Sequence, residues 1–207
     1  MTTPRTVLVP RERVVRWFEN FASRHGDPSY AVRGGRLTAT SPDGATAEAE
    51  LPFAERYEGV PDPQAFTAAI TMPRRWGLLL VRKGGFAVAL VREGTVAESK
   101  VGQRHVQGRT KAGGQSQQRF ARRRDNQARQ AYEAAAEHAV RILTDIDALV
   151  CGGDHVAVEA VLSDPRLRRV ADVRVGRWLP VPDPRRTVLE QAVVDGSAVE
   201  VTVTDPS

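Results

Sequence analysis

Apolar positions along this chain recur with two periods, and the change from one period to the other marks out its elements. Between Arg11 and Arg24, residues Val14, Val15, Trp17, Phe18 and Phe21 fall near one side at helical spacing, which predicts an amphipathic helix. Gly26, Asp27 and Pro28 stop it. Two short strands are predicted around Gly34-Gly35, then a turn at Pro42-Asp43-Gly44 and a third strand through Leu51. The stretch up to about Pro73 has no clear period. At Trp76 the pattern sharpens. Gly77 to Lys83 is an apolar run, Gly84-Gly85 signals a hairpin, and Phe86 to Arg92 is a second run. Glu93-Gly94 then turns the chain into an alternating strand from Thr95 to Val101, which completes an antiparallel meander.

Gly102 to Gln115 is a glycine-rich, polar, basic loop, long enough that function or disorder is the usual explanation. Ser116 is a candidate cap for a helix running to about Leu143. Its stripe is Phe120, Ala128, Ala131, Ala135, Ala139 and Ile142, interrupted by Arg124. A buried strand follows over Asp147 to Cys151, a turn at Gly152-Gly153 and a helix from Asp154 to Leu162. A strand from Val170 to Val175, a helix from Arg186 to Val194 and a strand from Ala198 to Thr204 complete the prediction. The expectation is an α/β chain with a mixed sheet. Residues 1–72 form a small N-terminal α+β subdomain of unassigned role, and residues 73–207 a second domain.

Charge adds a location to this outline. The net charge of the 207 residues is +5, but almost every base is Arg, as expected of a high-GC genome, so the total says little. The distribution says more. From Lys100 to Arg129 there are nine bases against one acid, Asp125, so the loop and the start of the long helix face an anionic partner. Cationic groups near a helix N-terminus oppose the macrodipole, so Arg119, Arg122, Arg123 and Arg124 are locally unfavourable and suit phosphate binding. The bland alternative is a solvated face.

Other chemistry is thinner. One cysteine, Cys151, excludes an internal disulfide framework and a cysteine-rich zinc site. No run approaches the roughly 20 apolar residues of a membrane span, and Met1 to Arg13 has no secretory apolar core, so a cytoplasmic protein without a membrane partner is expected. His105 lies in the basic loop and reads as a phosphate contact more readily than as a proton carrier. Gly152-Gly153-Asp154-His155 lacks the lysine and spacing of a P-loop and reads as an ordinary strand–helix turn with an Asp cap. Asp145, Asp147 and Asp154 would serve a metal nuclease only with carboxylates converging from several strands. The three meander strands supply none apart from Glu93 and Glu98 at their ends.

The sharpest string is Gly113-Gly114-Gln115 followed by Ser116, then Arg119-Phe120-Ala121-Arg122 and Arg124. G-G-Q-S-x-x-R-F-A-R-x-R resembles the peptidyl-tRNA hydrolysis loop of eukaryotic and archaeal class-I release factors. The central domain of those factors is RNase H-like, and the predicted order of meander, long helix and strand–helix–strand is that of an RNase H-like sheet. With no room for codon-reading or GTPase-binding domains, the chain most resembles the Vms-like release factor (VLRF) group in its compact actinobacterial form.

The resemblance implies a codon-independent peptidyl-tRNA hydrolase that frees nascent chains on stalled or split ribosomes. Gly113, Gly114 and Gln115 would be catalytic, the glycines letting backbone approach substrate and Gln115 offering its N–H to the oxyanion. Arg104, Arg109, Lys111, Ser116, Arg119, Arg122, Arg123 and Arg124 would bind tRNA or ribosomal RNA. Peptidyl-tRNA and the large ribosomal subunit are the implied partners, and no cofactor or metal is implied. No ankyrin repeat, zinc finger or coiled coil is present, so recruitment would fall to residues 1–72. Two alternatives stay open: cleavage of the tRNA near its 3′ CCA end, and a non-catalytic ribosome- or tRNA-binding factor.

Overall fold

The computed structural model describes residues 3–103 and 115–206; for residues 103 and 115–128 it describes the backbone and not the side chain. The chain forms two compact units, one of residues 1–72 with 194–207 and one of residues 73–193.

The first unit opens with β1 (Arg5–Val9) and α1 (Val14–His25). The stripe read from the sequence buries Val14, Phe18 and Phe21, a spacing of four and three residues. β2 (Ser29–Arg33) and β3 (Arg36–Thr40) meet at Gly34-Gly35, whose φ values of 59° and 82° match the left-handed turn that suits twisted strands. β4 (Thr46–Glu50) and α2 (Pro63–Ala68) follow. Neither β1 nor α2 is predicted by periodicity.

The second unit begins with the meander β5 (Arg75–Arg82), β6 (Gly85–Arg92) and β7 (Thr95–Gln103). α3 (Gln115–Ile142) crosses to β8 (Ala148–Gly153), which lies parallel to β5. α4 (His155–Leu162) and α5 (Arg168–Asp172) lead to β9 (Arg174–Leu179), parallel to β8, and then α6 (Arg186–Gly196) begins. The order β7-β6-β5-β8-β9 is a mixed RNase H-like sheet. Leu79, Val81, Val88, Leu90 and Cys151 pack with Ala135, Ala139 and Ile142 of α3 and with Val158 and Val161 of α4. Leu78, Leu80, Ala87, Ala89 and Val150, of the opposite strand parity, are equally buried. Burial on both faces explains why these strands read as continuous apolar runs.

β10 (Val199–Thr204) returns to the first unit. It lies between β1 and β4 in the all-antiparallel order β1-β10-β4-β3-β2. This corrects the expected second domain of residues 73–207 at its end. β10 alternates Val199, Val201 and Val203 with Glu200, Thr202 and Thr204, so it needs a sheet with one buried face. The first unit supplies that face with Leu37, Ala47, Ala49 and Phe18. A second correction concerns the strand expected at Val170 to Val175. Leu167 and Val170 are buried at helical spacing around α5, and the strand starts at Arg174.

Candidate functional site

The last residues of β7 fix one end of the basic loop. Val101, Gly102 and Gln103 pair with Ala87, Phe86 and Gly85, at the end of the sheet where β5, β8 and β9 finish. Gly102 lies directly opposite Phe86, whose ring covers its backbone. A Cβ there would meet ring carbons of Phe86 at 2.3, 2.6 and 3.0 Å. An aromatic ring laid over a glycine of an edge strand is a known way to pin register. The ring also stacks on His138 of α3, with centroids 5.7 Å apart and planes 29° apart. Burial, then the charges of Lys100 and Arg141, hold the His138 imidazole below its ordinary value of 6.5. Arg141 is itself paired with Glu98 of β7.

α3 fixes the other end. From His138 beside Phe86 the helix runs to Leu143 beside Gly77, toward the opposite end of the sheet. Its earlier turns therefore extend past the sheet end that carries the loop. A helix of this length is about 42 Å long, against about 26 Å for an eight-residue strand. Its base is clamped by Arg166, which donates at 2.7 Å to both Glu137 and Asp164. That contact pulls the Asp164 carboxyl down to about 2 and lowers Glu137 as well.

Of the sequence-predicted site residues, Arg104, Arg109, Lys111, Gly113 and Gly114, with His105, lie outside the described residues. Gln115, Ser116, Arg119, Arg122, Arg123 and Arg124 are placed by their backbone in α3. The helix starts at Gln115, one residue before the expected cap, so Ser116 is inside it. At about 100° per residue, Gln115, Arg119 and Arg122 share one face, with Ser116 and Arg123 on its flank. The buried stripe of Ala131, Ala135, Ala139 and Ile142 occupies the opposite face. Arg124 falls in line with that stripe, which is the interruption noted in the sequence.

The same sheet end carries a group that the sequence signals only weakly. Gly153 closes β8 with φ +97°, and a Cβ there would lie 2.3 Å from the Val81 carbonyl oxygen. Asp154 donates its N–H to that oxygen at 2.8 Å, while its Oδ1 accepts from Val156 N at 3.0 Å and Ala157 N at 3.4 Å. This is the strand–helix turn with an Asp cap that the sequence predicts. His155 lies flat on Trp178 of β9, with centroids 3.6 Å and planes 13° apart, and Val156 beside it is 77% exposed. Arg82 donates to the Val181 carbonyl at 2.8 Å and approaches Asp183 at 3.4 Å. Cys151, two residues before Gly153, is a poor nucleophile, since burial pushes its thiol up to about 12.

Among curated proteins there is no sequence match. Among solved structures the chain is similar to the Vms1 mitochondrial localization core, at 12% identity and a TM-score of 0.45, over 80% of this chain and 75% of that one. It is also similar to the archaeal translation termination factor aRF1, at 13% identity and a TM-score of 0.40, over 94% of this chain and 64% of that one. Pelota of Archaeoglobus fulgidus is similar at 13% identity and a TM-score of 0.31, over 94% of this chain and 63% of that one. The chain thus spans less than two thirds of the latter two. Residues 74–202, more than half of the chain, match the family described as Actinobacteria/chloroflexi VLRF1 release factor. On that match, this chain belongs to the VLRF1 release factor family.

Proposed function

We propose that this protein hydrolyses the ester joining a nascent peptide to tRNA, independently of a codon, on stalled or split ribosomes in the cytoplasm. The observation that carries the reading is the G-G-Q string at the start of α3 in a chain of a release factor family. Gln115 opens the helix, so its N–H is among the first four of α3 and has no intrahelical acceptor. The positive end of the helix dipole adds to its pull on a developing oxyanion. Gly113 and Gly114 let the backbone approach the ester without a Cβ in the way. The Gln115 side chain restricts entry so that water attacks. Arg119 and Arg122, on the face they share with Gln115, hold phosphates of peptidyl-tRNA or of large-subunit RNA, together with Arg104, Arg109, Lys111, Ser116, Arg123 and Arg124.

The test uses large subunits carrying labelled peptidyl-tRNA, incubated with the protein and with Gly114→Ala and Gln115→Ala variants, followed by sequencing of the tRNA 3′ end. Peptide release with an intact CCA end, lost in the glycine variant, is expected. A shortened 3′ end would make the protein a tRNA nuclease instead. Absence of release with RNA binding preserved would leave a binding factor.

A further inference from the structure

We infer that His155, backed by Trp178, is a stacking platform for an unpaired base of the RNA strand whose 3′ end the G-G-Q loop receives; this rests on the hydrolase reading above. The imidazole lies on the indole at 3.6 Å, and Trp178 packs in turn against the core of the second unit. His155 is exposed, so its outer ring face is open to solvent, and it has no hydrogen-bond or ion partner among the described residues. A ring held flat from behind and open in front loses little freedom when a base settles on it. Such stacking tolerates any base, because every base has a π face. Val156 adds apolar surface beside the ring, where a base edge can rest.

The surroundings favour nucleic acid over an apolar partner. Gly153 packs against Arg82, the last residue of β5, and Lys83 follows it in the β5–β6 turn at this same sheet end. Lys83 is exposed with no ion pair among the described residues. Asp154, next to His155 in the chain, is engaged in capping α4, Glu159 is paired with Arg174, and Asp183 faces Arg82. α3 also relates the platform to Gln115. α3 packs on α4, and Tyr132 joins the cluster that contains Ala157 and Val158. Gln115 is about 25 Å up the helix from Tyr132 at 1.5 Å per residue. A strand ending at the loop crosses that span in several nucleotides, so the platform meets RNA near the junction of single strand and duplex.

The probe is an RNA hairpin with a free, non-aminoacylated single-stranded C-C-A 3′ end, carrying a fluorescent base analogue at the unpaired position next to the duplex. A blunt hairpin is the control. His155→Ala should weaken binding of the tailed hairpin by about 5- to 140-fold, the size of one base stack. It should also abolish the quenching of the analogue and leave the blunt hairpin unaffected. His155→Phe should restore both signals, which a merely structural role would not require, and circular dichroism checks that each variant is folded. Unchanged affinity and quenching in His155→Ala, with binding still weakened by Arg119→Ala, would overturn the platform and leave the hydrolase reading standing. Failure of the wild-type protein to bind the tailed hairpin better than the blunt one would overturn the platform, whereas failure to release peptide from large subunits would overturn the hydrolase reading.

Discussion

Gly102→Ala puts a methyl group where the Phe86 ring lies. The new Cβ would stand 2.3 Å from one ring carbon and 2.6 Å from the next, where carbon atoms ordinarily approach to about 3.5–4.0 Å. The ring must therefore withdraw by about 1 Å or more. Its retreat is hindered, because Phe86 is only 5% exposed and its ring is already stacked on His138. Overpacking of this kind costs about 1–3 kcal/mol. Replacing glycine at a position without positive φ recovers up to about 1 kcal/mol through the unfolded chain, so the net loss should be about 1–2 kcal/mol. Urea unfolding followed by tryptophan fluorescence measures it. A Trp17→Phe background leaves Trp76 and Trp178, both in the second unit, as reporters. Phe86→Leu removes the ring, so the double variant should be less destabilised than the sum of the singles by about 1 kcal/mol. A Gly102→Ala protein as stable as its parent, or strict additivity with Phe86→Leu, would refute the account of a ring laid over the strand.

Three further outcomes are expected. Asp154→Ala removes the acceptor of two N–H groups at the start of α4 and should lower stability by about 1 kcal/mol, whereas Asp154→Ser should recover most of it; thermal unfolding reads both. Cys151, with its thiol pushed up to about 12 by burial, should resist a thiol reagent at mildly alkaline pH and react only at the rate of unfolding. The folded-state pKa of His138 is depressed below 6.5, so the unfolded chain binds a proton more readily. The stability linked to it is complete above 6.5 and is lost as pH falls through the lower folded value; His138→Leu should flatten that part of a urea-midpoint profile against pH.

Most of the second unit is legible in the sequence because its elements are long and its turns carry glycine at the right places. Lys83-Gly84 and Glu93-Gly94 bracket β6, and the Ala131–Ile142 stripe runs on helical spacing into the core. What escapes is whatever depends on a distant partner. β1 is five residues between Pro4 and Pro10, too short to carry a period, and it forms because β10 offers it a ladder. The alternation of β10 is plain, but alternation states only that one face is buried and not in which sheet. α5 reads as strand because Val170, Val173 and Val175 are β-branched, whereas the buried pair Leu167 and Val170 keeps helical spacing. Of the candidate site, the G-G-Q string and its arginines are read directly from the residues. The ring pair His155 and Trp178 is not, because the contact joins the start of α4 to the end of β9, two short elements separated by α5.

The place of β10 between β1 and β4 also imposes an order on folding. Residues 73–193 are contiguous, and every strand of their sheet lies within that span. In the other sheet β1 pairs, among the described residues, with β10 alone, so Arg5 must find Val203 across almost the whole chain. Closing so long a loop adds entropy slowly with length, yet pairings this non-local are the slow ones in folding. Until β10 docks, β1 and the β2–β4 meander share no hydrogen-bonded neighbour. The inserted unit can therefore be complete while its host is still two fragments, and the slow phase of refolding should report on Trp17 rather than on Trp76 or Trp178.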